Sequence, residues 1–253
     1  MELGEFANSH IVASADDGVL KIVLNRPEKR NAVNAAMYDA LANLLAHAKD
    51  SHSTGAVAIL AAGSDFCAGT DLAELRAGSG SIPFEERPVG RFLKELVWFD
   101  KPLVAGVRGR AIGFGFTLLL HCDVLFVAKD AALSAPFARL GFAPEAASSR
   151  LLPARVGYRN AFDIFARNTV LMGSEAERFG LATAVLDPDE VDAAALAEAA
   201  VLSAQPWESV RSIKRLIISP EETWATIGRE MKEFEELKAR RNDGSFVNSA
   251  SQP

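Results

Sequence analysis

The segment LGFAPEAASSRLLP, residues 140–153, carries one carboxylate, Glu145, and contains no lysine or aspartate. A glutamate directly after a proline is typical of a helix start, where the helix dipole favours negative charge. A carboxyl group among apolar side chains also has a raised pKa and is suited to proton transfer. The local residues favour the helix start and leave an acid–base role for Glu145 open.

Two glycine-containing turns have the composition of an oxyanion-binding site. Residues 66–72, FCAGTDL, and residues 109–115, GRAIGFG, place small residues where a strand runs into a helix. Backbone N–H groups at such a junction lack internal partners, so those after Gly69 and near Phe114 are able to face an anion. If the turns converge, they form an oxyanion hole; taken alone, residues 109–115 are better explained as a tight turn that needs glycine for its φ.

The sequence argues against several other kinds of site. The glycines of residues 109–115 do not have the GxGxxG spacing of a dinucleotide-binding turn. The four histidines and two cysteines lack the spacing of metal ligands, so we predict no metal and no separate cofactor. The basic segment RPEKRN, residues 26–31, is compatible with phosphate contact or with a solvated loop.

Charge and hydropathy restrict the partners. With 27 Lys and Arg against 33 Asp and Glu, the net charge of -6 offers no basic field for a nucleic acid or an anionic membrane. The first residues, MELGEFANSH, do not resemble a secretory signal, and no apolar run approaches the roughly 18 residues of a membrane span. We therefore expect a soluble, cytoplasmic protein with neither a nucleic-acid nor a membrane partner.

The elements that must position these residues follow an α/β pattern. Residues 11–25 form two alternating apolar runs around an Asp-Gly pair, which predicts a β-hairpin. Asn34 is a candidate N-cap for a helix up to residue 50, and residues 56–62 predict a strand buried on both faces. A short helix is expected over residues 70–76. The repeated ββα order predicts a sheet covered by helices.

The pattern changes near residue 189. Three helical stretches rich in alanine and leucine follow, separated by Pro206 and Pro220. We therefore predict a core over residues 1–188 and a helical oligomerisation region over residues 189–253, and the apolar stripes of these helices also leave a lid role open.

Taken together, four segments resemble the signatures of the crotonase superfamily, also called the enoyl-CoA hydratase/isomerase family. They are LNRPEKRNAVN, FCAGTDLAEL, the stretch from AGVRGRAIGFG to LGFAP, and GSEAERFGLATAVL, in that order over residues 10–218. The resemblance implies a spiral of ββα turns followed by C-terminal helices that build homotrimers, often paired into homohexamers. It also implies an acyl-CoA substrate, in which coenzyme A is part of the substrate and not a cofactor.

The resemblance assigns roles residue by residue. It implies that the backbone N–H groups of Thr70 and Phe114 form the oxyanion hole. It implies CoA binding by Arg30, Ala32, Ala68, Asp71 and Leu72, and an acyl pocket formed by Thr117, Phe137, Leu140 and Phe142.

Two departures from the family pattern bear on the reaction. Hydratases of this family have glutamates at the positions that are Thr117 and Phe137 here, and phenylalanine cannot transfer a proton. The chain instead matches PF...LG..PE..SS, the pattern of the peroxisomal-type Δ3,Δ2-enoyl-CoA isomerases, which implies that Glu145 is the base. Phe137 and Phe142 would make its surroundings apolar and raise its pKa.

Other functions stay open on this evidence. The crotonase fold also carries hydratases, ring isomerases and acyl-CoA hydrolases that share the oxyanion turns. A non-catalytic binding or assembly protein of this fold is a further alternative.

Overall fold

The computed structural model describes residues 6–71, 73, 74 and 82–242. Leu72, one of the predicted CoA-binding residues, lies outside the described residues. Within the described ranges, no helix is both long and apolar enough to cross a membrane.

The main sheet begins with the predicted hairpin, which is confirmed. Strands β1 (Ile11–Asp16) and β2 (Val19–Leu24) pair antiparallel, and the turn residues Asp17 and Gly18 both have positive φ, at 43° and 76°. Strands β3 (Ala56–Ala61), β4 (Leu103–Val107), β6 (Val124–Ala128) and β9 (Ala184–Leu186) then add in parallel, in the order β1-β2-β3-β4-β6-β9. A smaller sheet contains β5 (Arg110–Ile112), β7 (Ala132–Ser134) and β8 (Leu171–Met172).

Helices connect and cover these strands. They are α1 (Ala35–Asp50), α2 (Pro88–Val97), α3 (Phe114–Thr117), α4 (Phe137–Leu140), α5 (Ser148–Val156), α6 (Tyr158–Ala166), α7 (Gly173–Ala176), α8 (Val191–Ser203), α9 (Trp207–Ile217) and α10 (Pro220–Asn242). As predicted, Asn34 caps α1, because its side chain accepts a hydrogen bond from the N–H of Met37 at 3.0 Å.

Strand β3 illustrates why the sheet needs cover on both faces. All of its residues are buried. Val57 and Ile59 join the apolar cluster that includes α1, whereas Ala58 and Leu60 face the other way and pack with Ala195 of α8. A parallel sheet is stable only when both faces are covered. Helix α8, which the sequence analysis assigns to the oligomerisation region, therefore contributes to the core; the division at residue 188 stays a prediction.

The fold is a mixed α/β architecture with a C-terminal helical region, which confirms the predicted fold class. The turn between β3 and α2 differs in detail from the sequence prediction. Thr70 forms a parallel bridge with Val33, and the helical residues described there begin at Ala73. Thr70 and Asp71 thus lie in an extended segment that precedes the helix.

Asn31 connects the basic loop of residues 26–31 to the end of β3. It is fully buried, and its φ of 54° lies in the left-handed region. Its side-chain oxygen accepts the N–H of Arg26 at 2.7 Å, and its amide donates to the carbonyls of Ala62 at 2.8 Å and Asp65 at 2.9 Å. One side chain thereby satisfies three backbone groups that would otherwise be unpaired in the interior.

Replacing Asn31 by alanine is expected to lower the free energy of unfolding by about 3 kcal/mol, because it leaves these groups unpaired and puts an alanine at positive φ. Urea denaturation of purified protein measures the change. Asn25→Ala is a matched control, since the Asn25 amide donates one exposed hydrogen bond, to the carbonyl of Ser9, and its loss should cost below about 1 kcal/mol. Equal losses in the two variants would contradict the role given to Asn31.

Candidate active site

The two glycine turns lie side by side. Cys67 and Ala111 form a parallel bridge, in which the N–H of Cys67 donates to the carbonyl of Arg110 at 3.0 Å and the N–H of Ile112 donates to the carbonyl of Cys67 at 2.9 Å. Gly69 has a φ of 96°, and a Cβ at this position would lie 2.8 Å from the carbonyl oxygen of Ile112. Glycine is therefore required for the two backbones to approach this closely.

The N–H groups of Thr70 and Phe114 are available at this junction. On either side of Thr70, the carbonyl of Gly69 accepts a hydrogen bond from the N–H of Val33, and the N–H of Asp71 donates to the carbonyl of Val33. Within the described ranges, neither Thr70 nor Phe114 uses its own N–H in a hydrogen bond with another part of the protein. A Cβ on Gly69 would be 3.7 Å from the backbone nitrogen of Phe114. The N–H groups of Thr70, the next residue, and of Phe114 therefore lie close to each other.

Tyr38 of α1 contacts both turns, and the sequence analysis did not identify it. Its hydroxyl lies 2.8 Å from Oγ1 of Thr70, and its ring meets the ring of Phe114 edge-on at 5.0 Å between centroids. Burial raises the pKa of Tyr38 well above its ordinary value, so the hydroxyl is protonated. The periodicity of α1 predicts a buried stripe but does not show which buried side chain reaches a turn.

Glu145 lies across the same space with its carboxylate held by Thr117. Oγ1 of Thr117 donates to Oε1 of Glu145 at 2.5 Å. Burial raises the pKa of Glu145 to about 7; the hydrogen bond from Thr117 lowers it, and the nearby Glu230 raises it further. Near neutral pH the carboxyl group is therefore able both to accept and to release a proton.

A cavity of about 380 Å³ joins Glu145 to the two turns. Its lining includes Thr70, Phe114 and Glu145, and apolar side chains make up most of the remaining wall: Ile82, Phe84, Leu93, Phe137, Phe142 and Phe234. Such a cavity, mainly apolar with a few convergent polar groups, is typical of a small-molecule site.

The structure brings most of the predicted acyl-pocket and oxyanion residues to this cavity. Ala68, Phe137, Leu140 and Phe142 line it together with Thr70, Phe114 and Glu145. Thr117 is the exception. It is fully buried, and it lies behind the carboxylate of Glu145 as its hydrogen-bond donor instead of facing the cavity. Its position within α3 turns it toward the interior.

Of the predicted CoA-binding residues that the structure describes, Ala68 and Asp71 lie in the first turn, and Arg30 and Ala32 lie beside it. Arg30 is exposed, and its carbonyl accepts the N–H of Ala68 at 2.9 Å. The carbonyl of Ala32 and the carboxylate of Asp71 both accept hydrogen bonds from the guanidinium of Arg26, at 3.0 Å and 2.6 Å. A hydrogen bond from the backbone N–H of Ala73 and the contact with Arg26 lower the pKa of Asp71. Asp71 therefore has a structural partner within the chain.

Helix α10 also contributes to the cavity. The sequence analysis left a lid role open for the C-terminal helices but identified none of the residues that line the site. Met231, Phe234, Glu235 and Lys238 line it, and Arg87 forms an ion pair with Glu235 at 2.7 Å. The periodicity of α10 shows an apolar stripe without identifying its partner surface. Glu74 and Glu86 are two further cavity-lining carboxylates that sequence reasoning missed.

Comparison with known proteins shows similarity to both enoyl-CoA isomerases and enoyl-CoA hydratases. Residues 14–236 match the family model described as Enoyl-CoA hydratase/isomerase. The chain is 31% identical over 222 residues to 1,2-epoxyphenylacetyl-CoA isomerase of Escherichia coli (strain K12), covering 86% of this chain and 83% of that protein. It is also 31% identical over 211 residues to enoyl-CoA delta isomerase 2 of Rattus norvegicus, covering 82% of this chain and 54% of that protein.

A solved structure of similar fold is an enoyl-CoA hydratase/isomerase from Pseudoalteromonas atlantica T6c. It superposes with a TM-score of 0.87 at 38% sequence identity, covering 91% of this chain and 92% of that one.

The pKa of Glu145 predicts a pH-dependent stability difference between wild type and Glu145→Gln. The folded carboxyl group titrates near pH 7 and the unfolded one near 4.5, so in this window the folded state binds the extra proton and loses stability as the pH rises. Glutamine has no such titration. As the pH rises from about 4 to about 8, the unfolding free energy of the variant minus that of wild type should therefore increase by about 1 to 3 kcal/mol.

Urea denaturation across this pH range measures the difference. The control is Glu233→Gln, because Glu233 is exposed on α10. Parallel pH curves for wild type and Glu145→Gln would contradict the raised pKa of Glu145.

Proposed function

Because this chain belongs to the enoyl-CoA hydratase/isomerase family, the crotonase superfamily of acyl-CoA enzymes, we propose that it moves the double bond of a 3-enoyl-CoA to the 2 position. The observation that carries this proposal is Glu145, a carboxylate with a raised pKa that shares an apolar cavity with the N–H groups of Thr70 and Phe114. A fixed base opposite preorganised oxyanion donors is the arrangement that proton transfer beside a thioester requires.

In the proposed reaction, the thioester carbonyl oxygen accepts hydrogen bonds from the N–H groups of Thr70 and Phe114. The carboxylate of Glu145 takes a proton from C2, and the C–H electron pair forms a dienolate whose negative charge rests on the thioester oxygen. Glu145 then returns the proton to C4 while the electrons move to form the C2=C3 double bond. No atom is gained or lost. Backbone donors at the developing oxyanion are worth roughly 3 kcal/mol each.

The surroundings of Glu145 favour isomerisation over addition of water. Phe137, 7% exposed, lines the cavity where the family's hydratases carry an acid, and it can neither activate nor protonate water. Two of the other cavity carboxylates have partners: Glu74 accepts the N–H of Ala35 at 3.1 Å, and Glu235 pairs with Arg87. A single carboxylate suffices for a proton shift between C2 and C4.

A second candidate is the isomerisation of an aromatic or alicyclic CoA ester. It is favoured by the similarity to 1,2-epoxyphenylacetyl-CoA isomerase, which covers 86% of this chain. This reaction also conserves mass and uses an oxyanion hole, so the two candidates differ in the acyl group that the cavity accepts.

We propose that the CoA portion binds along the loop of residues 26–31. The exposed cationic side chain of Arg30 is available to CoA phosphates, and the backbone near Ala32 to the adenine ring. This loop is joined directly to the oxyanion turn, because the carbonyl of Arg30 accepts the N–H of Ala68. Asp71, which pairs with Arg26, would stabilise the loop.

We also propose that the chain assembles as a homotrimer or as a hexamer of two trimers. Helix α9 supports this, since Leu216 is 88% exposed and Ile217 is 74% exposed. Large apolar side chains exposed next to each other are typical of a subunit interface.

The first prediction concerns the base. Glu145→Gln should keep its fold and its CoA binding while the isomerisation of 3-hexenoyl-CoA falls about 10³-fold or more, because glutamine cannot carry the proton. A panel of 3-enoyl, 2-enoyl and alicyclic CoA esters, followed by absorbance and mass, separates a mass-neutral shift from water addition and from CoA release. Glu233→Gln is the control. Most activity remaining in Glu145→Gln would exclude Glu145 as the base.

The second prediction concerns assembly. Leu216→Glu combined with Ile217→Glu should convert the oligomer to smaller species, because two charges would be buried in the proposed interface. Light scattering coupled to size-exclusion chromatography measures the mass. The matched control is His52→Glu with Ser53→Glu, in the exposed turn after α1. An unchanged mass in the α9 variant would show that α9 is not in the interface.

A further inference from the structure

Glu230 of α10 is a buried carboxylate that belongs to neither the cavity wall nor an ion pair within the described residues. It is 5% exposed. Its Oε2 accepts the N–H of Ala147 at 2.6 Å, and its Oε1 accepts the N–H of Ser149 at 2.8 Å. Both oxygens are thus used to hold the backbone just after Glu145, at the start of α5.

This backbone segment needs such support. Ala146 and Ala147 have φ values of 56° and 58°, in the left-handed region that alanine rarely adopts. The turn is also held by His121, whose Nε2 lies 2.8 Å from the carbonyl oxygen of Ala146. Burial lowers the pKa of His121 to about 4, so the neutral ring donates this hydrogen bond. The segment that carries Glu145 is therefore held between His121 and Glu230.

Glu230 also acts on Glu145 through its charge. Its negative charge is one of the causes that raise the pKa of Glu145, after burial. The other titratable groups that interact with Glu145 are Tyr38 of α1 and Cys67 of the first turn, and burial raises the pKa of both, so they are neutral. Burial raises the pKa of Glu230, although the hydrogen bonds from Ser149 and Ala147 and the charge of Arg229 act in the opposite direction. Among the described residues, Glu230 is thus the acidic group whose negative charge, when it is ionised, acts on Glu145 from another element.

We propose that Glu230 is the positioning residue for Glu145: it holds the strained turn at Ala146 and Ala147 and thereby aims the carboxylate at the substrate. The proposal rests on the proposed function in that Glu145 is taken as the base. Because the contacts of Glu230 join α10 to the start of α5, the geometry of the base then depends on how α10 is docked.

The test compares Glu230→Gln with Glu230→Asp. Glutamine keeps the length of the side chain but presents an N–H₂ group to one of the two backbone donors, whereas aspartate keeps the charge but loses reach. Both should lower kcat by about 10- to 100-fold with KM nearly unchanged, because a small misplacement of a reacting group costs that much. Glu233→Gln, the same change on the exposed side of α10, is the control. Glu230 variants that match this control would overturn the proposal.

The pH profile of kcat separates positioning from general destabilisation. Glu230→Gln removes a negative charge near Glu145, which lowers the pKa of Glu145 and moves the acidic limb of the profile to lower pH. Glu230→Asp retains the charge and should leave the limb close to that of wild type. A loss of activity that follows only the folded fraction, with no shift of the limb in Glu230→Gln, would assign Glu230 a structural role alone.

Two further measurements distinguish failure of this inference from failure of the proposed function. In the Glu145→Gln background, Glu230→Gln should cause no additional loss of kcat, because Glu230 acts through Glu145. Infrared titration of the carboxyl band that disappears in Glu145→Gln reports the pKa of Glu145 without substrate. If Glu145→Gln is fully active, the proposed base is wrong. If it is inactive while both Glu230 variants keep the kcat of the Glu233→Gln control, only the positioning role is wrong.

Discussion

The backbone pairing between Cys67 and residues 110–112 is the interaction on which the site depends. It places two turns that are distant in sequence at hydrogen-bonding distance. Asp65 reinforces it, because its carboxylate accepts the backbone N–H of Arg110 and pairs with the Arg110 guanidinium at 2.7 Å. Hydrogen bonding to Arg110 lowers the pKa of Asp65, so this support is retained at neutral pH. The main-chain donors of Thr70 and Phe114 owe their proximity to these contacts and bring no ionisation of their own.

Local patterns predicted the elements well because each rests on neighbouring residues. The Asp-Gly hairpin and the Asn34 cap require no knowledge of the rest of the chain. Contacts between distant segments could not be predicted in this way. The hydrogen bond from Thr117 to Glu145 and the contact of Tyr38 with Thr70 join residues brought together only by the tertiary fold. The resemblance to a family indicated which residues share a site, but not which of them face the cavity.

The position of Glu145 in the fold has a cost in stability. Its carboxylate is withdrawn from water, and the alanines after it adopt a backbone conformation that is unfavourable in isolation. The cost of the backbone conformation is offset by the hydrogen bonds of His121 and Glu230 to the same turn. The burial of the carboxylate is offset in part by the hydrogen bond from Thr117. A reactive carboxyl group in an apolar setting and a rigid backbone around it are thus two aspects of one arrangement, as expected where function is in conflict with local stability.

The contribution of α10 to the cavity has a consequence for the order in which the protein is made. Synthesis on the ribosome proceeds from the N-terminus. The oxyanion turns and Glu145 are translated well before Glu230, Met231 and Phe234, which support the base and close the apolar wall. Until α10 has been made, the apolar side chains that it contacts in the cavity have no cover from this helix. Docking of α10 both covers these side chains and completes the cavity wall, so loss of this helix would remove part of the pocket together with its cover.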